Sequence, residues 1–144
     1  MIKKATVNDS YVLAELAINI FENNTVEELK NEFEEVLKNE KNIFFIKLLD
    51  NNPIGFAQCN IRHDYVEGTN SSPVGYLEGI YIKDEYRNSG FAKELLQECE
   101  KWAKEKGCQE FASDCELTNI TSLKFHLAVG FEEANRVICF KKKI

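Results

Sequence analysis

The sequence predicts an α/β protein: a mixed sheet with crossover helices. Three observations carry this. Short apolar segments of strand length recur along the chain. Other segments space their apolar residues at three and four, as helices do. The two kinds alternate most clearly in the second half, the order expected of a sheet with helices crossing its faces.

Taken in order, "IKKATV" alternates and predicts a first strand. Asn8 or Asp9 can cap a helix whose apolar residues are Val12, Leu13, Leu16, Ala17 and Ile20. Thr25 followed by Glu28 fits a capping box for a second helix, with Leu29, Phe33, Val36 and Leu37 on one face. "NIFFIKLL" and "PIGFAQCNI" flank "DNNP", a strand–turn–strand signal. The polar loop "RHDYVEGTNSSP" follows, and then the longer strand "VGYLEGIYI".

"SGFAKELLQECEKWAKEKG" is an amphipathic helix with Phe91, Leu95, Cys99 and Trp102 on one side and Gly107 as its stop. Trp102 belongs to the core. "CQEFASDCEL" predicts another strand, and "NITSLKFHLAVG" a short helix ending in glycine. "FEEANRVICFKKK" predicts a closing strand or hairpin arm, with a solvated basic end. The predicted order is β-α-α-β-β-β-α-β-α-β.

The 144 residues suit one domain, 1–144, with a core of its own. A formal net charge of −6 repels phosphate backbones, so nucleic acid is not an expected partner. A cationic small molecule is favoured instead, although acidity also serves solubility alone. The five cysteines include no CxxC pair, and four of them lie in apolar patterns. They read as small buried hydrophobes in a reducing compartment, with no metal site. The N-terminus carries no apolar run of signal-peptide type, and no stretch reaches the roughly 18 apolar residues of a membrane span. The expected location is the cytoplasm, with no membrane partner.

The chemistry concentrates at "IKDEYRNSGFAKELL". A helix start offers unpaired N–H groups and a partial positive charge, which suit phosphate. Gly90 lets a ligand approach the backbone. Ala92 keeps the first turn narrow, Arg87 adds a cation, and Ser89 can cap the helix. Neither GxxxxGK[ST] nor GxGxxG is present. By itself the pattern also fits a plain capped helix after a solvated turn. The preceding strand narrows the choice: Glu78 and Gly79 interrupt an apolar run, and glycine inside a strand marks a bulge or a close approach. Asp114 interrupts the following strand in the same way. The two carboxylates beside a phosphate-binding helix end suit a cationic amine meeting a phosphate-bearing cofactor.

The strand, the R-x-x-G-x-A turn and its helix resemble the acetyl-CoA motif of the GNAT N-acetyltransferases. "NITSLKFHLAVGF" resembles their second motif. "DYVEGTNSSPVGYLEGIYI", "WAKEKGCQEFASDCELTN" and "FHLAVGF" resemble the aminoglycoside 6′-N-acetyltransferases, with the close match over residues 61–144.

The resemblance implies the GNAT fold: a mixed, mostly antiparallel sheet splayed at strands 4 and 5, flanked by about four helices. It implies acetyl-CoA as co-substrate, no metal, and direct transfer to the 6′-amino group of aminoglycosides, which confers resistance to these antibiotics. Ile80, Tyr81 and Ile82 would hold the pantetheine arm through their main chain. Arg87, Asn88, Ser89, Gly90, Phe91 and Ala92 would hold the pyrophosphate, and Asn119 the cofactor's arm. Phe21, Tyr65, Glu78 and Asp114 would bind the aminoglycoside.

Glu78 and Asp114 would orient and deprotonate the amine, with Asp114 ahead as the base. A backbone N–H at the strand bulge would face the developing oxyanion. His126 stands where many GNAT enzymes carry a tyrosine acid. Phe21 stands for a substrate-contacting tryptophan and Asn135 for an acidic residue, and both changes weaken the aminoglycoside reading. A homodimer through C-terminal strands is implied. The alternatives are acetylation of another small polyamine or a protein amine, and an acetyl-CoA sensor without turnover.

Overall fold

The computed structural model describes residues 1–144. Nine regular elements follow one another: β1 (Ile2–Lys4), α1 (Ser10–Ala17), α2 (Val26–Val36), β2 (Asn42–Leu49), β3 (Asn52–Arg62), β4 (Val74–Ile82), α3 (Phe91–Glu105), β5 (Phe111–Ser113) and α4 (Ile120–Ala128). The five strands form one sheet in the order β1-β2-β3-β4-β5. The first four are antiparallel neighbours, and β4 and β5 run parallel. This is the mixed, mostly antiparallel sheet with four helices that the resemblance implies.

Two apolar layers cover the sheet. On one side Leu13, Leu16, Leu29 and Phe33 of α1 and α2 pack with Phe44, Ile46 and Phe56. On the other, Leu95, Leu96, Cys99 and Trp102 of α3 pack with Ile43, Phe45, Cys59 and Leu77. Successive strand residues point to opposite faces, so the apolar run of β2 feeds both layers at once. The Thr25–Glu28 capping box forms in both directions: Glu28 N–H donates to Thr25 Oγ1 and Thr25 N–H to Glu28, each at 3.1 Å.

Several expectations are corrected. The last predicted strand is absent: residues 131–144 carry no regular structure, and Val137, Ile138 and Phe140 are 71%, 81% and 90% exposed. A strand needs a neighbour along its length, and β5 offers only three residues. The strand around Asp114 stops at Ser113, because parallel pairing lasts only from Gly75↔Phe111 to Leu77↔Ser113. Asp114 therefore lies just past the strand. The first helix is preceded by a 3-10 turn, Val7–Asp9. Asp9 sits at its N-cap position but gives its carboxylate to Thr6 N–H and Lys3 instead of the helix. Cys59, Cys99 and Cys108 are buried as expected, whereas Cys115 and Cys139 are exposed. Both lie in the C-terminal part, beyond β5, where the apolar layers end.

Candidate active site

The site begins at a bulge. In the β3–β4 ladder Leu77 faces Cys59 and Gly79 faces Gln58, so Glu78 is an extra residue without a partner. A bulge bends its strand and increases the local twist. The bend comes where β4 loses β5: from Glu78 to Ile82 it has no neighbour on that side. The main chain of Ile80, Tyr81 and Ile82 therefore borders an opening in the sheet. Gly79 is needed for a second reason. A Cβ there would stand 3.1 Å from Phe21 Cζ and 3.2 Å from Ile20 Cδ1, so the missing side chain makes room for Phe21 against the strand.

The turn after β4 fits a phosphate-bearing cofactor. Gly90 is the N-cap of α3 with φ +81°, a conformation glycine adopts without strain. Nothing lies within 4 Å of where its Cβ would be, so the approach is open. Glu94 N–H is the first in the helix to find a backbone acceptor, Gly90 O at 3.1 Å. The N–H groups of Phe91 and Ala92 have no protein acceptor, and Asn88, Ser89 and Gly90 are exposed beside them. This donor set suits pyrophosphate. Ser89 is not the cap, which corrects the expectation. Arg87 folds back: its Nε donates to Ile82 O at 2.9 Å, and its guanidinium meets Asp84 at 3.1 Å. Its charge stands at the turn while the side chain braces the end of β4.

The two carboxylates are linked through residues that the sequence did not single out. Arg62, the last residue of β3, reaches Glu78 at 2.5 Å, and its guanidinium lies 3.4 Å from the centre of the Tyr76 ring. The Tyr76 hydroxyl donates to Asp114 Oδ2. Tyr76 is buried. Burial, with Asp114 beside it, pushes its phenol well above the ordinary range, so it stays a donor. One hydrogen-bonding oxygen of each carboxylate is thus taken by the protein, and Asp114, exposed, presents the other to solvent. Asn60, opposite Tyr76 in the ladder, has a buried Oδ1 with no partner, an unmet acceptor in the same neighbourhood. The alternation Gln58, Asn60, Arg62 along β3 was the readable signal for this polar face.

Tyr65 is 77% exposed and donates to Glu67 at 3.3 Å. Asn135 Nδ2 donates to the other oxygen of Glu67 at 3.0 Å. The loop that carries them is fixed through Val66, which packs with Val74 and Tyr76, and through Glu110, which accepts from Asn70 N–H at 2.8 Å and Ser71 Oγ at 2.5 Å. No hydrogen bond joins Tyr65 to Glu78 or Asp114.

Asn119 caps α4, its Oδ1 accepting from Ser122 N–H at 3.1 Å, which leaves its Nδ2 free. His126 is engaged at both ring nitrogens. Its Nδ1 lies 2.7 Å from Ser122 O, a group that can only accept, so this nitrogen carries hydrogen in the neutral ring. Its Nε2 then accepts from Ser113 Oγ at 2.7 Å. No cluster of three or more His, Cys, Asp or Glu residues is placed to hold a metal.

The chain is similar to known proteins in sequence and in fold. The sequence matches the profile described as "Acetyltransferase (GNAT) family" over residues 11–131. The chain is 46% identical over 110 residues to aminoglycoside N(6′)-acetyltransferase type 1 of Salmonella typhimurium, covering 76% of each chain. It is 36% identical over 142 residues to the enzyme of that name from Stenotrophomonas maltophilia, covering 97% of this chain and 91% of the relative. Among solved structures, aminoglycoside N-acetyltransferase AAC(6′)-Iy in complex with CoA superposes with a TM-score of 0.95 at 37% identity, covering 100% of this chain and 95% of that one. With a splayed mixed sheet, an open helix end after β4 and relatives of this kind across its length, the chain belongs to the GNAT family of acetyltransferases.

Proposed function

We propose that this protein is an aminoglycoside 6′-N-acetyltransferase that uses acetyl-CoA, a single domain acting by direct transfer with both substrates bound. The observation that carries the reading is the placement of Glu78 and Asp114 around Tyr76, at the point where β4 parts from β5 and leads to the open end of α3. The named relatives are aminoglycoside N(6′)-acetyltransferases. AAC(6′)-Iy has also been solved with a bisubstrate analogue, CoA-S-monomethyl-acetylneamine; that structure superposes with a TM-score of 0.94.

Acetyl-CoA supplies the acetyl group as a thioester. The main chain of Ile80, Tyr81 and Ile82 binds its arm, with Asn119 Nδ2 as a further donor. The turn from Arg87 to Ala92 binds its pyrophosphate. Phe21, Tyr65, Glu78 and Asp114 bind the amine substrate: the carboxylates hold its ammonium groups, and Phe21 gives a flat apolar wall. The attacking amine must be neutral, and Asp114 accepts its proton, directly or through water. Tyr76 supports this by holding one Asp114 oxygen and leaving the other for the amine.

A homodimer fits the exposed apolar residues Val137, Ile138 and Phe140, which have no partner within one chain. The cytoplasm is the proposed location. No helix is long and apolar enough to cross a membrane. The test is CoA release with acetyl-CoA and tobramycin or kanamycin, run beside spermidine. Release with the aminoglycosides is expected; its absence at high enzyme concentration overturns the reading, and release with spermidine alone moves it to another polyamine.

A further inference from the structure

We infer that Arg62 sets the protein's affinity for cationic substrates by competing with them for Glu78. Three observations bear on this. Arg62 Nη2 lies 2.5 Å from Glu78 Oε1, so a cation of the chain itself already occupies the carboxylate that a substrate ammonium would use. The guanidinium carbon lies over the Tyr76 ring, 3.4 Å from its centre, and Tyr76 in turn holds Asp114. The resident charge therefore pairs with one carboxylate and lies over the ring of the tyrosine that holds the other. The pair is also accessible, with side chains 38% and 28% exposed, so a ligand can reach and replace it.

A pair this exposed is weak enough to exchange, being worth at most about a fivefold preference. A substrate ammonium gains Glu78 only when Arg62 gives it up. The cost falls on the binding of the amine and leaves acetyl-CoA untouched, since Arg62 is on β3 and the cofactor turn follows β4. Arg62 is thus a specificity-determining residue. It lowers the affinity of single amines severalfold and bears less on polycations, which bring several charges at once.

The inference rests on Glu78 binding the amine substrate, and the experiment separates the two. Arg62→Met keeps an apolar stem over Tyr76 and removes the charge. KM for tobramycin should fall about threefold, KM for acetyl-CoA should hold, and the rise of tobramycin KM with salt should steepen as the site gains negative charge. Arg62→Lys should keep KM near that of the parent protein. Glu78→Gln should raise KM, and in that background Arg62→Met should have no further effect. An unchanged or raised KM in Arg62→Met, with Glu78→Gln still raising it, overturns the role of Arg62 alone. That role is likewise overturned if Arg62→Met lowers KM equally without Glu78. An unchanged KM in Glu78→Gln overturns the placement of the amine at Glu78. Should Arg62→Met fail to fold, Arg62→Gln is measured in its place against the same outcomes.

Discussion

The Tyr76 hydroxyl donates to Asp114 Oδ2 across the short parallel pairing of β4 with β5. Asp114 stands just beyond β5 on an exposed stretch, so this bond is what orients its carboxylate. Tyr76→Phe keeps the buried ring and removes the donor. The expected result is a fall in kcat/KM for aminoglycosides of about tenfold, equivalent to about 1.4 kcal/mol, with acetyl-CoA binding by calorimetry unchanged. Equal loss of both would make the bond a support for the sheet alone.

The same hydroxyl gives a pH signature. Burial first, and the Asp114 bond next, raise the Tyr76 phenol above its ordinary value of about 10. A raised value in the folded state means that this contribution to stability is complete below about pH 10 and lost as pH rises through the folded value. Tyr76 should be among the last of the five tyrosines to ionise in an absorbance titration. The parent protein should also lose stability above pH 10 more steeply than Tyr76→Phe. Parallel alkaline unfolding of the two would show that the phenol does not carry the effect.

Much of this arrangement is legible in the sequence, and the rest is not, for physical reasons. Glu78–Gly79 inside an apolar run signals the bulge, and Arg87 to Ala92 signals an open helix end, because both are local backbone demands. The Arg62–Tyr76 link is hidden because it depends on which residues of β3 and β4 face each other once the long loop between them closes. Residues 131–143 read as a strand or hairpin arm, yet the sequence of one segment cannot say whether a partner exists, and none does within this chain. Ser89 looks like a cap. With Gly90 itself at the cap position in a left-handed turn, its hydroxyl caps nothing.

Gly79→Ala tests the close approach of Phe21. The added methyl would stand 3.1 Å from the end of the Phe21 ring, so the ring must move by a few tenths of an ångström. The expected cost is about 1 kcal/mol of stability, read by thermal unfolding. KM for the amine should rise severalfold while KM for acetyl-CoA holds. A stability loss without any change in amine KM would place Phe21 outside the substrate site.

The final prediction concerns His126 of α4. Both of its ring nitrogens are engaged, Nδ1 by Ser122 O and Nε2 by Ser113 Oγ, each at 2.7 Å. Its ring also packs 5.0 Å from that of Phe131, centre to centre. A side chain so engaged joins α4 to β5 and has no free ring nitrogen to offer a leaving thiolate. His126→Leu removes both bonds, and Ser113 can then turn its hydroxyl to Leu77 O, 3.3 Å away. Unfolding should occur with a loss of about 1–2 kcal/mol, and kcat of the folded fraction should stay within about threefold of the parent, a change of under 1 kcal/mol in the barrier. A hundredfold drop in kcat at unchanged stability would reverse this and make His126 the acid.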